Sequence, residues 1–145
     1  MEIRILIADN DGSVRRMIAR VLETAGYIVF QIADLHEAAV RCKGIQPSLI
    51  LLDLEMRSPA GWSLLRDIRR DSGAVPVIGM TAWPNQYDVA VQCGIDALME
   101  KPLDLGFLIK TIEELLSPRP QRPAKHQLQE AFPRLRPSML GQGNS

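Results

Sequence analysis

Aromatic residues are scarce in this chain: two Trp, two Tyr and three Phe make up 5% of 145 residues. A platform that stacks successive bases on side-chain rings is excluded on that count. The two cysteines, Cys42 and Cys93, are far apart and in no metal-ligand spacing. They fit a reducing cytoplasm and not a disulfide scaffold. No apolar run approaches the roughly 18–20 residues that span a bilayer. The opening Met1-Glu2-Ile3-Arg4-Ile5-Leu6 meets charge too early for a signal peptide. The expectation is a soluble, cytoplasmic chain with no membrane contact. Net charge is also absent, with 17 basic and 17 acidic residues.

That balance hides an asymmetry. Residues 1–116 carry 12 basic and 16 acidic side chains, a net of −4, and residues 117–145 carry 5 basic and one acidic, a net of +4. The acidic first part does not read as a nucleic-acid binder, and no direct DNA binding is expected. Residues 117–145 hold five of the ten prolines and end in Gly141-Gln142-Gly143-Asn144-Ser145. Proline at that density interrupts helices, so this part reads as a basic, mostly irregular tail, with at most a turn or two of helix around Lys125–Phe132.

The body, 1–116, alternates apolar runs of strand length with helical periodicity. Ile3–Ala8 is followed by the turn cluster Asp9-Asn10-Asp11-Gly12-Ser13. Val14, Met17, Ile18, Val21, Leu22 and Ala25 then recur at helical spacing, with Gly26 as a stop. Tyr27–Ile32 is a second strand, and Asp34 caps a helix carrying Leu35, Ala38, Ala39 and Cys42, closed by Gly44. Ser48–Leu52 ends in Asp53, and a loop with Pro59 and Gly61 leads to a helix bearing Leu64, Leu65 and Ile68. Val75–Met80 and Ile95–Met99 are the last strands. Between them a helix opens near Pro84 and ends at Gly94, and Asp104 caps the final helix through Leu116. Five such units with short connections predict a parallel sheet covered on both faces, an α/β three-layer sandwich.

In such folds ligands lie outside the carboxyl ends of the strands. Those ends carry Asp9-Asn10-Asp11, Asp53, Thr81 and Glu100-Lys101-Pro102. Taken singly, Asp9 or Asp11 could cap a helix, Thr81 could close a turn, and Lys101 could be a solvated charge. Asp53 is harder to dismiss, because a carboxylate ending Leu49-Ile50-Leu51-Leu52 is costly without a partner. Together they suit a hard cation with oxygen ligands and a carboxylate that attacks a phosphoryl group. Lys101 would offset the added charge, and the Thr81 hydroxyl could donate to a phosphoryl oxygen.

The order Asp-x-Asp, Asp, Thr-Ala, Lys-Pro on five βα units resembles the receiver domain of bacterial two-component response regulators. The resemblance covers residues 3–116. It implies a flavodoxin-like strand order 2-1-3-4-5 with five helices. It implies Asp53 as the phosphorylated aspartate, Thr81 as a hydroxyl that moves on phosphorylation, and Lys101, with a cis bond to Pro102, as the phosphoryl-binding lysine. It implies Mg²⁺ held by Asp9, Asn10, Asp53 and the Glu55 backbone carbonyl, with Asp11 as a candidate extra ligand. The donor would be a sensor histidine kinase or phosphotransfer protein. Output would run through a downstream protein target, with a homodimer through the face of the fourth and fifth helices as one form. The chain would be a stand-alone phosphoacceptor, not an enzyme beyond slow self-dephosphorylation.

Four positions depart from the family pattern. Asn10 stands where a second acid is usual, which predicts weaker Mg²⁺ binding unless Asp11 compensates. Arg57 replaces the usual proline, with Pro59 displaced. Leu98 occupies the aromatic switch position. Trp83-Pro84 puts a bulky side chain at the pocket mouth. Asn10 and Leu98 keep a non-phosphorylated pseudo-receiver, a plain interaction module, as the rival reading. Asp9-Asn10-Asp11 also resembles the first motif of haloacid-dehalogenase-like phosphohydrolases, with Asp9 as nucleophile and Asp11 as general acid. No acidic pair follows Lys101 where that family keeps its metal ligands, and Asp53 would be idle. A flavin-binding relative of the same architecture needs a phosphate loop that these acidic side chains would repel.

Overall fold

A computed structural model describes residues 2–54, 65–70, 75–83, 85, 87–92 and 94–118. Its elements are β1 (Arg4–Ala8), α1 (Gly12–Thr24), β2 (Ile28–Ile32), α2 (Leu35–Ile45), β3 (Leu49–Asp53), a helical segment α3 (65–70), β4 (Val77–Thr81), α4 (Tyr87–Gln92), β5 (Ala97–Glu100) and α5 (Leu105–Leu116). The strands form one parallel sheet in the order β2-β1-β3-β4-β5. This is the three-layer α/β sandwich that the alternating pattern predicts. Glu55, Arg57, Pro59, Gly61, Leu64, Pro84, Cys93 and the tail from 119 onward lie outside the described residues.

Burial follows position in the sheet. Every residue of β3 and β4 is buried, because both strands are central and covered on both faces, which explains their unbroken apolar runs. The edge strand β2 has only Ile32 buried; Val29 and Phe30 are partly buried, and Ile28 and Gln31 are exposed. On α1 the buried stripe is Ile18, Ala19 and Leu22. Met17, assigned by periodicity to the same face, is 47% exposed, because only a narrow band of α1 packs against β2 and α5.

One helix end differs from expectation. α2 runs through Gly44 to Ile45, and the Gln46 N–H continues the ladder by donating to the Cys42 carbonyl at 2.9 Å. The left-handed residue that ends it is Gln46 (φ 52°), and Pro47 prevents further extension. On α1, Gly26 does stop the helix, at φ 99°.

One glycine inside a strand positions the site. A Cβ on Gly79 would lie 2.8 Å from Leu54 Cδ1 and 3.2 Å from Ile95 Cδ1. The missing side chain lets Leu54 fold down onto β4 directly after Asp53, where its N–H donates to the Met80 carbonyl at 2.7 Å.

Candidate phosphoacceptor site

The carboxyl ends of β1, β3, β4 and β5 bring four polar residues together, as the strand order requires. Asp9, Asp53 and Thr81 are buried, at 0%, 2% and 1% exposure, in a molecule whose other buried side chains are almost all apolar. Lys101 reaches in from the end of β5. Its Nζ lies 3.2 Å from Asp9 Oδ2 and 3.5 Å from Asp53 Oδ2. One ammonium is therefore shared by two buried carboxylates. Lys101 is itself held by its backbone: its N–H donates to the Thr81 carbonyl at 2.7 Å, and its bond to Pro102 is cis.

The turn after β1 is built around Asp9. The Asp9 N–H extends the ladder to β2 by donating to the Ile32 carbonyl at 3.1 Å. Asp9 Oδ1 accepts the Asp11 N–H at 2.8 Å, and the Asp9 carbonyl accepts from Arg15 Nη1 at 2.7 Å. Asp11 is the α1 N-cap: its Oδ1 accepts the Ser13 N–H at 3.0 Å and the Val14 N–H at 3.3 Å. That cap is the reading its position after β1 allows on grounds of local geometry alone. Asn10 is exposed beside this turn.

Thr81 ends β4, and its Oγ1 accepts the Trp83 N–H at 3.0 Å. The hydroxyl thus faces the loop after β4, closing a local turn. Trp83 is 48% exposed at this end of the sheet. Leu98 is fully buried in β5, so no side chain there is available to swing outward. Two residues that position the site carry little signal in sequence. Gly79 is marked only as a glycine within an apolar strand run, and Arg15 only once the chain folds back onto Asp9.

The oxygen donors at this end are the Asp9 and Asp53 carboxylates and the Asn10 amide. Among the described residues no group of three acidic, His or Cys side chains is placed to hold a metal. The donor set suits Mg²⁺ in kind, since the ion takes hard oxygen ligands and keeps several waters. It falls one charge short, because position 10 is an amide and Asp11 is committed to the helix. The Glu55 carbonyl lies outside the described residues.

Known proteins place this geometry. The model of the response regulator receiver domain matches residues 5–113. The chain is 32% identical over 127 residues to the DNA-binding response regulator MtrA of Mycobacterium tuberculosis, covering 86% of this chain and 55% of that protein. It is 32% identical over 129 residues to the DNA-binding dual master transcriptional regulator RpaA of Synechocystis, covering 85% and 54%. Among solved structures, a CheY-like receiver from Methanospirillum hungatei superposes with a TM-score of 0.74 at 25% identity, covering 80% of this chain and 94% of that one. Chemotaxis protein CheY4 of Vibrio cholerae superposes with a TM-score of 0.73 at 24% identity, covering 79% and 99%.

These relatives correct one expectation. The expectation of no direct DNA binding rests on the acidic charge of residues 1–116, yet the matched relatives are DNA-binding regulators. The chain spans about half the length of those proteins. The charge of a receiver region therefore says nothing about what the rest of such a protein touches, and the stand-alone reading gains no support from them. With its family model matched from Ile5 to Glu113 and its sheet in receiver order, the chain belongs to the response regulator receiver domain family.

Proposed function

We propose that this receiver accepts a phosphoryl group on Asp53 from a phosphohistidine of a sensor kinase or phosphotransfer protein. The observation that carries the reading is the buried Asp53 carboxylate at the end of β3, 3.5 Å from an ammonium it shares with Asp9. An ammonium beside that carboxylate offsets its negative charge at the end of the sheet. An Asp53 oxygen forms the new bond to phosphorus, the P–N bond breaks, and the electron pair leaves on the donor imidazole nitrogen. The carboxylate supplies the nucleophile, and the remaining work is positioning and charge neutralisation.

Lys101 is placed to follow the negative charge as it moves onto the phosphoryl oxygens. Asp9 holds Lys101 in that place. A divalent cation bound by Asp9, Asp53 and the Asn10 amide oxygen would add neutralising charge at the phosphoryl oxygens. Thr81 would donate to a phosphoryl oxygen by turning its O–H away from the Trp83 carbonyl, 3.5 Å away, which couples the acceptor to the loop before α4. On this reading the chain is an acceptor that changes state and not a turnover catalyst.

The test is intact mass after incubation with phosphoramidate and Mg²⁺. One added phosphoryl group is expected in the parent and none in Asp53→Ala, with faster labelling in Asn10→Asp. The second reading, an interaction module that is never phosphorylated, is favoured by Asn10 and by the buried Leu98. No adduct in either the parent or Asn10→Asp would establish it in place of the first.

A further inference from the structure

The two edges of the sheet are finished differently. β5 has four residues, with Ala97, Leu98 and Met99 buried, and it runs through Glu100 into Lys101 and Pro102, a residue with no N–H to offer. Shortness, charge and proline all blunt an edge against further pairing. β2, at the other edge, has none of these: Ile28-Val29-Phe30-Gln31-Ile32 contains no charged residue, no proline and no glycine. Ile28 is 40% exposed, and Gln31 is exposed as well. Among the described residues no strand lies beyond β2.

The ladder to β1 fixes which backbone groups face outward. The Ile28 N–H donates to the Ile3 carbonyl at 3.0 Å, and the Ile32 carbonyl accepts the Asp9 N–H at 3.1 Å. With Arg4 beside Ile28, Leu6 beside Phe30 and Ala8 beside Ile32, these three β2 residues turn their N–H and carbonyl groups toward β1. Val29 and Gln31 therefore turn theirs away from the sheet. They offer two donors and two acceptors along the open edge.

This set is complementary to itself. In an antiparallel pairing with Phe30 opposite Phe30 of a second copy, Val29 of each copy lies opposite Gln31 of the other. Each such pair exchanges two N–H···O bonds, and every outward group of Val29 and Gln31 is satisfied. Phe30 then occupies the closely spaced position between them, where two rings meet across the two-fold axis. The strand carries no charge, so no like charges oppose one another at that axis. Setting Val29 opposite Val29, or Gln31 opposite Gln31, would leave the other residue without a partner inside β2.

We propose that β2 is a homodimerisation edge: two copies of this chain join through antiparallel β2 strands, centred on Phe30, into one ten-stranded sheet. The contact is isologous and closes, because the edges left free are the two blunted β5 strands. This surface is distinct from the face of α4 and α5. The join points the carboxyl ends of the two halves in opposite directions, so the Asp53 sites stand at opposite sides of the dimer. Association is therefore independent of what happens at Asp53, and the inference does not rest on the acceptor reading.

Sedimentation velocity on the full chain, without a phosphodonor, reads the association. One strand pair is a small contact, so a weak equilibrium is expected, with monomer near about 1 µM and dimer growing toward about 500 µM. Gln31→Pro removes an outward N–H and no bond to β1. It should keep the parent's thermal unfolding midpoint and weaken association about tenfold or more. Gln31→Lys changes only an exposed side chain and should weaken association about threefold. Register is read by cross-linking in a Cys42→Ala, Cys93→Ala background with oxidised glutathione, which is reduced to two thiols as the interchain disulfide forms. Phe30→Cys is expected to give a covalent dimer, since the two side chains face each other. Gln31→Cys, which does not oppose its own copy, is expected to stay uncross-linked.

Four results overturn the proposal. The parent may sediment as a monomer at every concentration. Association may survive unchanged in folded Gln31→Pro, or in Gln31→Lys should the proline variant fail to fold. Gln31→Cys may cross-link as readily as Phe30→Cys. Last, hydrogen exchange may be as slow at the Val29 and Gln31 N–H groups in dilute monomer as in concentrated protein, which would place another segment of this chain on the edge.

Discussion

The two ends of the sheet each hold a partly or fully buried ion cluster, and they are built on opposite terms. At the amino end, Arg69 of α3 donates to Asp96 Oδ2 at 2.8 Å, to the Val75 carbonyl at 2.6 Å and to the Gly94 carbonyl. Asp96 Oδ2 also accepts the Val77 N–H at 2.8 Å. One acid meets one guanidinium, and short hydrogen bonds surround both. At the carboxyl end, two acids share one ammonium at 3.2 and 3.5 Å. The first cluster is a staple that joins α3 to the starts of β4 and β5. The second sets two acids around one shared ammonium, an arrangement of the kind found at sites where charged groups arrive and leave.

This contrast can be broken at either end. The largest loss of stability is expected at the staple. Arg69→Met removes a cation and several bonds to it, and should lower unfolding free energy by about 2–3 kcal/mol in denaturant titrations. Phosphoramidate labelling of Asp53 should continue in the same variant, since the staple lies at the far end of the strands. At the carboxyl end Lys101→Met should cut the labelling rate about hundredfold, the usual loss when a group aimed at developing charge is removed.

The sign reverses for the acids. Asp96→Asn should destabilise by about 1–2 kcal/mol, because a satisfied charge-assisted pair is weakened. Asp53→Asn should instead raise stability by about 1–2 kcal/mol, because it removes one of two buried acids that share a single ammonium, while abolishing the adduct. Equal signs for the two substitutions would dissolve the distinction between staple and acceptor.

Smaller effects sharpen the same picture. Gly79→Ala forces Leu54 off β4 and should cost about 1–2 kcal/mol, with slower labelling because Asp53 precedes Leu54. Tyr27 tests a group unrelated to either cluster. Burial, with Glu113 nearby as a second cause, raises its phenol above the usual tyrosine range. The folded state therefore holds this proton more tightly than the unfolded chain does. Its contribution is fully present below the ordinary phenol pKa and is lost as pH rises through the higher folded value. Tyr27→Phe should flatten that alkaline fall in a series of thermal unfolding scans and leave neutral pH unchanged.

Much of the fold was legible because it rests on local patterns. Leu49-Ile50-Leu51-Leu52 and Val77-Ile78-Gly79-Met80 are continuous because central strands are covered on both sides. The cap residues Asp11 and Asp104 bond to N–H groups two or three residues away, within the reach of local sequence. The misplaced features depend on neighbours. Met17 fits the helical period, but which residues on that side are buried is set by where α5 and β2 press against α1. Gly44 looks like a stop, but α2 continues because nothing in its surroundings requires a turn until Pro47.

The site divides along the same line. Asp9, Asp53, Thr81 and Lys101 could be placed at strand ends from the alternation alone, since a parallel sheet with helical crossovers puts every carboxyl end on one side. Sequence determined which chemical groups stand there, and that position 10 is an amide. Only the tertiary structure decided how they share charge. Asp9 and Lys101 are 92 residues apart, and no periodicity relates them. The reach of Arg15 to the Asp9 carbonyl, the commitment of Asp11 to its helix and the turning of Thr81 toward Trp83 are likewise choices among local partners. Each is settled by which competing donor lies nearest once β1, β3, β4 and β5 are side by side. The strand order is a matter of apolar pattern, whereas the balance of a buried charge cluster varies steeply with distances of a few ångströms, which only the packed chain fixes.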